Sequence, residues 1–88
     1  MPESLEDLRK KVDAVDVEIV KLLNRRAELA VLSRDAKKAA GLPIHDPERE
    51  LRVLNKVMAA SDGPLDDETV RHLYQHIVQH MREFQKNE

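Results

Sequence analysis

The apolar residues of the chain fall into three stretches, each with the three- and four-residue steps of an amphipathic helix. In the first, Leu5, Leu8, Val12, Val15, Ile19, Leu22, Leu29 and Ala36 form a heptad-like seam with gaps at positions 26 and 33. Ser4, with Asp7 three residues on, resembles a capping box, and no glycine or proline follows until Gly41. One long helix is therefore predicted from about Ser4 to Ala40. A second begins at Asp46, a good N-cap, with Pro47 at the first helical position and Leu51, Leu54, Val57 and Met58 among its apolar residues. A third begins near Asp66. There Leu65 and Val70 are placed to form a hydrophobic staple, and Val70, Leu73, Tyr74, Ile77, Val78 and Met81 line one face. Gly41 with Pro43, and Gly63 with Pro64, mark the two breaks. The fold class predicted is all-α, a three-helix protomer with a long first helix.

That first helix raises a problem of length. It would span roughly 50 Å at 1.5 Å per residue, whereas a compact globule of this chain length has a diameter of roughly 30 Å. Two shorter helices cannot cover a seam that stays apolar almost throughout. The expected solution is a helical homodimer, in which a second copy covers the remainder.

Composition narrows the field. The 88 residues allow one domain, 1–88, and contain no cysteine, so thiolate metal sites and disulfides are excluded. Fifteen Lys and Arg stand against 17 Asp and Glu, a net charge of −2 that argues against nucleic-acid or anionic-membrane partners. Tyr74 and Phe84 are the only aromatic residues, too few for base stacking. The acidic, polar start Met-Pro-Glu-Ser does not read as a secretory signal, and no apolar run approaches membrane-spanning length. The expected compartment is the cytosol.

The informative residues are those that break the apolar pattern. Arg26 takes a seam position between Leu22 and Leu29, and Lys37, eleven residues on, returns to nearly the same face. Inward cations are costly unless they meet anions. Salt bridges to acids of the second helix, snorkelling at the helix end, and an anion site all fit. Arg9 lies roughly 25 Å from Arg26 along the axis and about 100° around it. The two could converge on one small ligand only across two chains; alone, Arg9 reads as a surface arginine. Glu50 precedes Leu54 by four residues and Val57 by seven, and Gln85 follows Met81 by four and Val78 by seven, so both face inward. Singly, each is explained by a structural hydrogen bond. Together, inward Arg, Lys, Glu and Gln on three helices describe a polar pocket inside a bundle.

The runs Leu8-Arg9-Lys10-Lys11-Val12-Asp13 and Leu22-Leu23-Asn24-Arg25-Arg26-Ala27-Glu28-Leu29-Ala30, then Lys37, then Asp46-Pro47-Glu48-Arg49-Glu50, resemble the all-helical class of chorismate mutase. The likeness continues through Gly63-Pro64-Leu65-Asp66 to Gln85 and so covers almost the whole chain. It implies rearrangement of chorismate to prephenate, in the biosynthesis of aromatic amino acids, by an intertwined helical homodimer whose long first helices cross, with two shared active sites and no cofactor. By the same resemblance, Arg26 would hold one substrate carboxylate and Arg9 of the other protomer would hold a carboxylate as well. Lys37 would bind the ether oxygen and an adjacent carboxylate, and Gln85 would donate to that oxygen from the opposite side. Glu50 would accept from the substrate hydroxyl with the Asp46 region assisting, and Arg49 would support the carboxylate network. One position departs from the family, which usually carries Ser one turn before the glutamine; here it is Met81.

Two rival functions fit the same pattern. An isochorismate-pyruvate lyase uses a similar cationic pocket on an isomeric substrate. A non-catalytic, regulatory helical dimer would need no pocket at all. Related mutase domains also occur fused to or complexed with other enzymes of the pathway, so a partner enzyme is a further expectation. His72, His76 and His80 recur every four residues, but largely opposite the apolar stripe; they read as a solvated face, and no metal site is expected. His45 reads as a loop residue.

Overall fold

The computed structural model describes residues 2–87; Met1 and Glu88, the ends of the expected domain, lie outside the described residues. Three helices are present and, among the described residues, no strand: α1 is Leu5–Ala39, α2 is Pro47–Ala60 and α3 is Asp67–Asn87. Their starts are set by local chemistry. The Ser4 side chain accepts from the Asp7 amide at 3.1 Å, Asp46 from the Arg49 amide at 3.1 Å and Asp66 from the Thr69 amide at 2.8 Å, each satisfying an amide that has no partner inside its helix. Hydrogen bonding by the Thr69 side chain and backbone holds the Asp66 carboxyl below the usual carboxylate range. Pro47 occupies the first turn of α2, where its missing N–H costs nothing.

The end of α1 is as well defined. Gly41 adopts φ 70°, its amide donates to the Lys38 carbonyl at 3.1 Å, and the Leu42 amide donates to the Lys37 carbonyl at 2.9 Å. This is a Schellman motif, which turns the chain sharply and favours glycine at the left-handed position.

α3 is the element that joins the other two. It packs against both α1 and α2, whereas α1 and α2 do not come within 8 Å of each other, Cα to Cα, among the described residues. The molecule is elongated, 59 × 25 × 16 Å, with a radius of gyration of 16.5 Å. Val78 of α3, at 9% exposure, is the sole buried hydrophobic residue among those described.

The structure revises the inward faces. α1 meets α3 in its C-terminal half through the half-buried Leu23, Ala27, Ala30 and Val31, not through Leu22 and Leu29, which stay 59% and 55% exposed. The row beside the seam packs because alanines let the helix axes approach closely. On α2 and α3, Leu54, Val57, Met58, Val70, Tyr74, Ile77 and Met81 are half-buried as predicted, but Leu51 and Leu73 are exposed. Leu5, Leu8, Val12, Val15 and Ile19 are uncovered. The accessible surface is 7273 Å², some 2,000 Å² above the ~5,300 Å² of an ordinary folded monomer of this mass. No helix among the described residues is long and apolar enough to cross a membrane.

Candidate active site

A cavity of about 430 Å³ opens between the C-terminal half of α1 and the N-terminal turns of α2, with α3 beneath. α1 contributes Arg26, Ser33 and Lys37; the loop and α2 contribute His45, Asp46, Arg49 and Glu50; α3 contributes Met81, Arg82 and Gln85. Apolar walls come from Leu29, Ala30, Ile44, Val53 and Val78. The sequence-predicted residues Arg26, Lys37, Asp46, Arg49, Glu50, Met81 and Gln85 thus share one cavity. Arg9 does not: it stands exposed on the early turns of α1.

Arg26, Lys37 and Gln85 each have a defined setting. The Arg26 guanidinium lies over the Tyr74 ring, 5.7 Å from its centroid, so a π face rather than a carboxylate meets its charge. Lys37 donates from Nζ to the Ile44 carbonyl at 3.1 Å, a contact that the Schellman turn makes reachable. Among the described residues neither cation forms an ion pair, so salt bridges to the second helix do not explain them. Gln85 donates from Nε2 to the Ala30 carbonyl at 2.6 Å, and Arg34 of α1 donates to the Gln85 carbonyl. The amide group keeps a second N–H for another acceptor.

The two acids are already engaged. Asp46 caps α2, and Glu50 receives Arg82 on both oxygens, at 2.8 and 3.1 Å. Arg26, Lys37, Arg49 and Arg82 outnumber Asp46 and Glu50, so a chain of net charge −2 carries a locally positive cleft. Low-dielectric walls concentrate that field on whatever enters.

The apolar pattern does not single out Arg82 or Arg34 and shows Ser33 only as a gap, whereas His45 is a loop residue, as expected. From that loop His45 also lines the cavity, with Nε2 3.8 Å from Glu50. A signal for Arg82 existed, since it follows Val78 by four residues on the inward stripe. Arg34 follows Ala30 by four, but only the Leu23–Ala27–Ala30 row, not the seam, leads to it. His72, His76 and His80 lie on the exposed side of α3, and the first two rings meet edge-on at 5.4 Å.

Comparison with known proteins gives one answer throughout. Residues 8–86 match the family described as chorismate mutase type II. The chain is 32% identical over 87 residues to a chorismate mutase of Methanocaldococcus jannaschii, covering 98% of this chain and 88% of that protein. It is 40% identical over 80 residues to a bifunctional chorismate mutase/prephenate dehydratase of Aquifex aeolicus, but spans only 22% of that longer protein. The chorismate mutase structure (form II) from Thermus thermophilus superposes with a TM-score of 0.89 at 36% identity, covering 96% of each chain. That of the Helicobacter pylori chorismate mutase in complex with prephenate does so with a TM-score of 0.84 at 32% identity, covering 94% of this chain and 90% of that one. Three capped helices, a cationic cleft between them and a match running almost end to end place this chain in the chorismate mutase type II family.

Proposed function

We propose that the cleft rearranges chorismate to prephenate, and that a second copy of the chain completes it. The observation that carries this reading is the convergence of Arg26, Lys37, Glu50 and Gln85, from three helices, on one cavity with an excess of cations. Chorismate offers the matching chemistry: two carboxylates, a ring hydroxyl and an enolpyruvyl ether. The reaction breaks the ether C–O bond and forms a C–C bond within one molecule, so the protein has to confine the substrate and answer a shift of charge.

Arg26 would grip one carboxylate, with Arg49 nearby, and hold the side chain over the ring in a reactive conformer. As the C–O bond stretches, negative charge grows on the ether oxygen. Lys37 and the free N–H of Gln85 would stabilise it, and one such preorganised donor is typically worth about 3 kcal/mol of barrier. Glu50 would accept from the ring hydroxyl beside Asp46. Met81 would present a thioether where the family usually has a hydroxyl, and so lose one polar contact to a carboxylate.

The second copy enters through the uncovered face of α1. An excess of some 2,000 Å² per chain is the scale of an obligate interface. Across such a dimer, Arg9 of a second copy would reach the Arg26 end of the cleft, which its own chain cannot do.

Purified protein incubated with chorismate, and in parallel with isochorismate, tests this directly by ultraviolet absorbance and product NMR. Prephenate is expected from chorismate, with Arg26→Ala lowering kcat/KM at least about 100-fold while circular dichroism stays helical. Pyruvate and salicylate from isochorismate as the dominant reaction would instead make the site a lyase. Survival of both substrates would leave a helical assembly serving a partner.

A further inference from the structure

Glu50 and Arg82 form the one ion pair among the described residues in which a guanidinium grips both carboxylate oxygens. Nε donates to Oε2 at 3.1 Å and Nη2 to Oε1 at 2.8 Å. The partners belong to different helices, Glu50 to the first turn of α2 and Arg82 to the last turns of α3, and both line the cavity. Their side chains are 26% and 37% exposed, so water competes only partly for them.

Two consequences follow from this geometry. The terminal torsion of a glutamate is broad when free, and a fork on both oxygens removes that freedom. A carboxylate has about four lone-pair positions, so the fork leaves two for further donors. His45 Nε2 lies 3.8 Å from Oε2, beyond hydrogen-bond reach.

We propose that Arg82 is a positioning residue of this site, fixing the carboxylate plane of Glu50 so that its remaining lone pairs meet the substrate hydroxyl. The inference rests on the mutase reading above. It differs from a plain strap between α2 and α3 in what it does to kinetics. The hydroxyl takes no part in the bonds that break or form, so its contact is expected to be about as strong in the ground state as in the transition state. Losing such a contact raises KM and spares kcat. Loosening α2 on α3 would instead disturb the whole cleft, and kcat would fall with it.

The test is steady-state kinetics on chorismate, with melting temperatures, for the wild type, Arg82→Gln, Arg82→Lys, Glu50→Gln and the Arg82→Gln/Glu50→Gln double variant. Arg82→Gln is expected to raise KM about tenfold with kcat within about twofold, and to add little once Glu50 is already Gln. Arg82→Lys keeps the charge without the fork, so it should regain thermal stability yet keep a raised KM. An unchanged KM in Arg82→Gln overturns the proposal. So does a kcat that falls in parallel with stability and returns with it in Arg82→Lys. If Arg82→Gln fails to fold, Arg82→Lys alone decides between these outcomes. Failure of the wild type to turn over chorismate would sink the mutase reading itself, a result that no Arg82 variant can mimic.

Discussion

Gln85 ties one wall of the candidate site to the scaffold. One amide N–H is tied to the Ala30 carbonyl, and Arg34 fixes its backbone, so the remaining N–H is carried at a set place on the cleft wall. An amide does not titrate, so turnover should need no acidic pH to supply this donor. Gln85→Ala is expected to lower kcat about 100-fold, and Gln85→Glu to confine activity to acidic pH, both read from kcat–pH profiles. A kcat unchanged in Gln85→Ala would remove the residue from the chemistry. Arg26, Lys37, Glu50 and Gln85 were legible in the sequence because each interrupts an apolar stripe. Spacing could have placed Arg82 on the inward stripe, but not its pairing with Glu50, 32 residues away, nor that of Arg34 with Gln85, 51 residues away, because helical spacing reports nothing across elements.

Element boundaries were the most legible feature, since caps are local chemistry: Ser4, Asp46, Asp66 and Gly41 act within four residues of themselves. The face that α1 turns to α3 was less so. Leu22 and Leu23 are neighbours, both apolar, and only the position of α3 selects the Leu23 row. The turn at Gly41 matters beyond the helix end, because it brings Ile44 back to Lys37. A Cβ there would meet nothing within 4 Å, so the cost of Gly41→Ala is purely that of a left-handed backbone. Urea denaturation should show a loss of about 1 kcal/mol. A gain would mean that the turn relaxes, and Lys37 would then lose its anchor.

At the scale of the whole molecule, the bare face of α1 and the distance of Arg9 from the cleft raise the same question. If Arg9 acts across chains, subunits carrying Arg9→Ala and subunits carrying Arg26→Ala should complement each other. Random reassortment would make half the dimers mixed, each with one intact and one doubly damaged site. Mixing the two inactive proteins through unfolding and refolding should then restore about a quarter of wild-type activity, measured as prephenate formation. No recovery would place Arg9 outside the site.

Val78, the most buried hydrophobic side chain among the described residues, is also part of the cavity wall. Among the described residues, the one buried hydrophobic position is therefore also a wall of the candidate site. In most enzymes a core residue can be enlarged or reshaped without altering what the active site accepts. Here a bulkier side chain at position 78 would tighten packing and shrink the chamber in the same stroke. Packing at position 78 and the size of the chamber are thus coupled, whereas Leu54, Val57, Tyr74 and Ile77 pack away from the cavity and can change without resizing it.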